Sequence, residues 1–133
     1  MAFDNFTKQQ LFVNQDYNVI LNQIYDILIN EFTAATLNAA FCISGSLAKE
    51  IQGSTAKEIT VIPFVTINAA IFKYFGRPLA KALGTTAILY KDRVQMTYRN
   101  VALECWLETA IGTINNESGI YVQDPADVPA KIN

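Results

Sequence analysis

Between Gln15 and Phe32 apolar residues recur at spacings of three and four, at Val19, Ile20, Ile24, Ile27, Leu28 and Phe32. This is the stripe of an amphipathic helix, expected to pack on a sheet. From Thr36 to Ile43 the chain is mostly alanine and larger apolar residues and ends in Ser44-Gly45-Ser46, which predicts a strand entering a tight turn. A short helix over Leu47 to Ile51 follows, stopped near Gly53. Over Glu58 to Val65, Ile59 and Val61 point to one face of a strand and Glu58, Thr60 and Ile62 to the other. Pro63 places that strand at an edge or its own end, because proline cannot donate to the ladder. Residues 67–83 predict a helix with Ile67, Ala70, Ile71, Tyr74 and Phe75 on one side, interrupted at Gly76-Arg77-Pro78 and stopped by Gly84. Thr86 to Tyr90, Val94 to Tyr98 and Val101 to Glu108 are rich in β-branched and aromatic residues, with short polar breaks between them. They predict consecutive antiparallel strands joined by tight turns. Beyond Gly112, Asn, Asp and two prolines surround one apolar anchor, Ile120-Tyr121-Val122. The reading is an α/β domain over 1–112 and an extended C-terminal arm over 113–133.

Composition narrows the classes of function. Charged residues make up 17% of the 133 and hydrophobic ones 51%, against roughly 25% charged in an ordinary soluble domain. Apolar surface should therefore be left for a partner to cover. A net charge of -2 provides no basic field for phosphate backbones, so nucleic acid is not an expected partner. No apolar run approaches the ~20 residues that cross a bilayer, and the first ten residues lack the features of a signal peptide. The expected location is the cytoplasm, or the interior of an assembled particle such as a virion. The chain has no histidine, which excludes triad-type hydrolysis and histidine-based zinc sites. Cys42 and Cys105 stand in apolar surroundings without CxxC spacing and are expected to be buried free thiols.

The stretch with the most chemistry is FCISGSLAKEIQGSTAKEITV, residues 41–61. Ile43-Ser44-Gly45-Ser46 closes an apolar run, and after eleven intervening residues Glu58-Ile59-Thr60-Val61 opens another. Strand, Gly-Ser turn, short helix, strand with alternate polar residues, long helix and further strands together resemble the polymerase-beta-like nucleotidyltransferase superfamily over about residues 36–108. The resemblance implies a mixed sheet packed with helices. It also implies an acid-apolar-acid element after the Gly-Ser turn and a third acid from a later strand, for which Glu104 is the candidate. Three carboxylates serve that chemistry because two Mg²⁺ ions must be held close together to activate the attacking oxygen and neutralise the leaving pyrophosphate. Here Thr60 replaces the second acid, and Glu58 sets its carboxylate one methylene beyond that of aspartate. A misplacement near 1 Å already costs ~100-fold in a preorganised site. No catalytic residue, metal ligand or cofactor is therefore assigned. Gly45, Ser46, Glu58, Thr60 and Glu104 remain candidates for nucleotide binding, with backbone N–H groups at the turn able to hold an anion.

Arg93 and Arg99 flank a strand beside Tyr90 and Tyr98, and read as ordinary charges protecting a hairpin rather than a single-strand grip. Trp106 reads as a core or interface residue. Phe3, Phe6, Leu11 and Phe12 precede the first helix and should fold back or insert into a neighbour. The expectation is a non-catalytic subunit on a nucleotidyltransferase-like scaffold, joining copies of itself and other subunits in a ring or connector through apolar surface and terminal arms. The alternative is a nucleotide-binding module or Mg-dependent nucleotidyltransferase-like enzyme with a divergent site.

Overall fold

The computed structural model describes residues 15–53, 60–117 and 120–132. The N-terminal phenylalanines, Leu11 and Glu58 lie outside them. Helix α1 (Gln15–Glu31) buries Ile20, Leu21, Ile24, Tyr25 and Leu28. Val19 is 37% exposed, so the buried stripe is rotated slightly from the expected one. Tyr98 donates its hydroxyl to Gln23 Oε1 at 2.9 Å, tying this helix to the sheet.

The expected strand over 36–43 is mostly helix. Thr33 caps α2 (Ala34–Ala40), its hydroxyl accepting from the Thr36 N–H at 3.2 Å. Only Phe41–Ile43 form β1, buried throughout. The four alanines of the helix favour it intrinsically, and the cap supplies its start. Next come α3 (Gly45–Gly53), β2 (Val61–Thr66), α4 (Ala69–Phe75), α5 (Arg77–Leu83), β3 (Ile88–Leu89), β4 (Arg93–Tyr98) and β5 (Val101–Leu107). The long helix expected over 67–83 is two helices, broken at Gly76 and ended by Gly84 at φ 75°. Arg99 and Asn100 both take positive φ, the two-residue hairpin geometry that matches strand twist.

Residues 113–132 do not form an extended arm. Ile114–Glu117 (β6) and Ile120–Gln123 (β7) are an antiparallel hairpin, and β7 lies parallel to β1 with Ile43 opposite Val122. Among the described residues the result is a mixed seven-stranded sheet in the order β3-β4-β5-β2-β1-β7-β6. It keeps the expected strand, turn, helix, strand order of a mixed α/β fold, with antiparallel strands after the helices.

Register assigns the sheet two faces. Phe41, Ile43, Ile62, Phe64, Leu103, Cys105, Val94 and Val122 share the main core with the helices. Within it Phe41 stacks on Phe64 at 4.9 Å, and Tyr25 meets both rings edge-on. On the other face Cys42, Val65 and Trp106 make a smaller core with Ile111 and Ile132.

Pro63 stands in the middle of the sheet, not at an edge. The Ser44 N–H donates to the Pro63 carbonyl at 2.8 Å, but the return bond needs a donor that proline lacks. The Ser44 carbonyl takes the Ala48 N–H instead, at 3.1 Å. The turn into α3 thus satisfies the acceptor that proline leaves open.

Candidate functional site

The Gly-Ser turn follows directly from β1. Gly45 has φ 65°, a conformation that suits glycine, and it turns the chain at once into α3. Ser46 is exposed there, whereas Ser44 and Gly45 are buried.

Ser44 is committed inward. Its hydroxyl donates to Gln123 Oε1 at 2.6 Å. Gln123 Nε2 donates in turn to the carbonyls of Ile111 at 2.8 Å and Asp127 at 3.1 Å. Gln52 Nε2 reaches the Gln123 carbonyl at 2.8 Å, and Asn115 Nδ2 donates to Gln52 Oε1 at 2.7 Å and Asp124 Oδ1 at 2.9 Å. The C-terminal hairpin is therefore stitched around the Gly-Ser turn. Sequence reasoning missed this network, because Gln123 and Asn115 read as polar residues of an arm.

Thr60 is exposed at the entrance to β2, and its carbonyl accepts from the Ala102 N–H at 3.1 Å. Val61 pairs with Ala102 and Pro63 with Glu104. Side chains alternate along a strand, so Thr60 shares the helix-packed face with Ile62 and Phe64, while Glu104 lies on the other face. The sheet does not bring the two together. On the helix-packed face of β5 the residues are Val101, Leu103, Cys105 and Leu107, the first three buried. No carboxylate stands there to act as third acid. Among the described residues no three Cys, Asp or Glu side chains gather as a metal site.

Glu104 has local partners. Gln95 Nε2 donates to its Oε2 at 2.6 Å, and Trp106 Nε1 to its Oε1 at 3.3 Å. Arg93 sits over both Tyr90, at 4.3 Å, and Trp106, at 5.0 Å. Lys131 approaches Trp106 at 5.7 Å while pairing with Glu108 at 2.9 Å. Trp106 is only 7% exposed, and packs beneath these cations as a core residue. Cys42 and Cys105 are buried free thiols. Burial pushes the Cys42 thiol up to about 12 and raises that of Cys105 well above its ordinary value. Neither is a nucleophile near neutral pH.

The sheet leaves its apolar surface at one edge. Ile88, Leu89 and Tyr90 are 55%, 49% and 43% exposed. An open cavity of about 320 Å³ lies beside them, between β3, β4 and the α4–α5 break. The sequence shows the run Thr86 to Tyr90, but not that its strand ends the sheet.

The chain matches no protein-family model and no curated protein. Among solved structures it is similar to a crystal structure from Thermotoga maritima described as a candidate nucleotidyltransferase, at TM-score 0.46 and 15% identity over 84% of this chain. This chain spans 66% of that one, just under two thirds of its length. Similarity at that level carries no functional argument. No helix among the described residues is long and apolar enough to cross a membrane.

Proposed function

We propose that the chain is a non-catalytic assembly subunit on a nucleotidyltransferase-like scaffold, which joins other protein subunits, its own copies among them, in an oligomer of ring or connector type. The observation that carries the reading is the three-residue apolar run, Ile88 to Tyr90, exposed at the sheet edge. Natural sheets usually protect their edges with charge or proline, since an open edge templates pairing with another chain. Two features support the non-catalytic half. Strand alternation carried one residue back from Val61 puts Thr60 on the face opposite Glu104, and the Ser44 hydroxyl is consumed by Gln123. Partner-covering surface thus shifts from the C-terminal segment, which is part of the sheet, to β3.

The test sets assembly against nucleotide chemistry. Light scattering across concentration should give a mass above that of one chain, and Ile88→Thr with Tyr90→Thr should lower it. Melting with Mg²⁺ and each nucleoside triphosphate should leave Tm unchanged, in the parent and in Thr60→Asp, which restores the missing acid on the wrong side of the sheet from Glu104. A ligand at 100 times its Kd stabilises by about 2.7 kcal/mol. A shift of that size with any triphosphate, in a chain that stays monomeric, overturns the reading in favour of a nucleotide-binding module.

A further inference from the structure

The β3 edge has a defined geometry for a partner. Tyr90 donates its N–H to the Arg93 carbonyl at 2.8 Å, so Tyr90 and Arg93 are a hydrogen-bonded antiparallel pair. Pairs alternate along such a ladder. Leu89, opposite Val94, therefore belongs to the non-bonded pair, and its N–H and C=O point away from β4 toward the open edge. One incoming residue could exchange two backbone hydrogen bonds with Leu89.

Beside that edge lies the cavity of about 320 Å³, with Phe72 and Pro78 on the helical side and Leu89 and Tyr90 on the strand side. Gly76 makes room for it. A Cβ there would stand 3.2 Å from Leu89 Cδ2, crowding the strand against the helix break. The charged residues of the lining are Lys73 and Arg77, with no carboxylate among them. Both are exposed, and neither forms an ion pair with a described residue. Lys91 follows Tyr90 at the strand end and is exposed as well. A short protective edge strand would ordinarily set its own charges against pairing. Here the two charges of the cavity lining, Lys73 and Arg77, have one sign, while the acidic Asp92 of the turn beyond Lys91 pairs with Arg93 at 3.3 Å.

We infer that the β3 edge and its cavity receive an extended segment of a partner protein, added as an eighth strand, with a large apolar side chain in the cavity and flanking carboxylates on Lys73 and Arg77. Backbone bonds at Leu89 hold the segment, and pocket and charge select it, the division of labour seen in strand addition generally. The inference rests on the assembly reading and names the chemistry of its partner.

The probe is a fluorescein-labelled peptide, DVEFEVD, titrated with the full chain by anisotropy, with KVKFKVK as the opposite-charge control. The acidic peptide should bind, more weakly as salt rises, and the basic one should bind at least tenfold more weakly. Lys73→Glu with Arg77→Glu should weaken the acidic peptide at least tenfold and improve the basic one. Leu89→Pro removes an outward N–H and no ladder bond, so it should fold with an unchanged far-UV spectrum yet lose binding. Three results overturn the inference: no binding of DVEFEVD up to 1 mM, equal binding of both peptides, or acidic binding indifferent to the charge reversal and to Leu89→Pro. Self-association that Leu89→Pro abolishes and the acidic peptide does not compete also overturns it, by assigning the edge to a second copy. Any of these, with no nucleotide shift, leaves the assembly reading standing. A nucleotide shift removes the reading itself.

Discussion

Replacing Gln123 by leucine should be among the most damaging single changes outside the aromatic core, although it substitutes an apolar side chain of similar length at a fully buried position. Gln123 accepts from Ser44 and donates to two carbonyls. The variant leaves the Ser44 hydroxyl and the Ile111 carbonyl buried without partners, while the exposed turn at Asp127 lets water reach the third group. An unsatisfied buried polar group costs about 1–3 kcal/mol, so two of them predict a loss of about 2–6 kcal/mol, offset slightly by the added apolar contact. Ser44→Ala strands only the Gln123 oxygen and should cost about 1–2 kcal/mol. Because the pair interacts directly, the double variant should fall short of the summed losses by about 1 kcal/mol or more. Urea unfolding, followed by the Trp106 fluorescence, gives all three values from one set of curves. If Gln123→Leu loses less than about 1 kcal/mol and the cycle is additive, the network does not hold the hairpin against the Gly-Ser turn, and the account of that turn as consumed fails.

Three further outcomes are expected of the same structure. Gly112→Ala should cost about 3 kcal/mol or more in the same urea assay, because φ is +76° and the new Cβ would lie 2.3 Å from Asp127 Cγ; Gly84→Ala, at φ +75° with open space around it, should cost only about 1 kcal/mol. Equal losses at the two glycines would contradict the crowding at Asp127. Stability should fall as pH rises from about 9 toward 12, since the unfolded chain gives up the Cys42 proton near its ordinary 9 while the folded chain holds it to about 12, with Tyr25 and Cys105 raised in the same direction by burial. The folded state then binds more protons than the unfolded one, so the slope with pH is negative, and a flat urea midpoint between pH 8 and 11 would refute it. Removing residues 113–133 should abolish cooperative unfolding, because it strips two strands and Gln123 from the sheet; a truncated chain with an intact urea transition would show the hairpin to be dispensable.

Features set by near neighbours were legible in the sequence. The α1 stripe, the hairpin at Arg99-Asn100 and the stop at Gly84 depend on local periodicity and turn chemistry, and the structure places them within a residue or two. Cys42 and Cys105 are the buried free thiols their surroundings suggest, and Trp106, legible as a core or interface residue, packs in the smaller core. What depended on distant pairing was not legible. Thr36 to Ala40 is apolar enough for either a strand or a helix, and the cap at Thr33 decided it. Pro63 by itself suggests an edge, but the Ser44 carbonyl it cannot pair is taken by the Ala48 N–H, which lets proline stand inside the sheet. The polar residues after Gly112 suggest an extended arm, but Asn115 bonds Asp124 and Gln52, and Gln123 accepts from Ser44 of the turn. At the candidate site, the spacing of Gly45, Ser46 and Thr60 was readable. The face taken by Glu104 was not, because one residue of register between β2 and β5 decides it.

The hairpin that closes over the Gly-Ser turn also makes the two sheet edges unlike, and this bears on what the protein can build. At one end β6 carries Ile114-Asn115-Asn116-Glu117, with Ile114 packed on the smaller core and Asn115 bonded inward to Gln52 and Asp124. Its remaining outward chemistry is polar and, at Glu117, acidic. At the other end β3 presents Ile88, Leu89 and Tyr90 beside Lys73 and Arg77. An incoming strand of the proposed kind finds both its apolar contact and its counter-charge only at β3. Addition at one edge caps the sheet after a single event, whereas two equally receptive edges would propagate end to end into a filament. Reversing that asymmetry should be visible: Asn116→Ile with Glu117→Lys gives β6 the apolar and cationic character of β3. The variant should bind a second DVEFEVD per chain, or form larger species at high concentration. If binding stays at one peptide per chain and the mass is unchanged, edge chemistry is not what selects the partner.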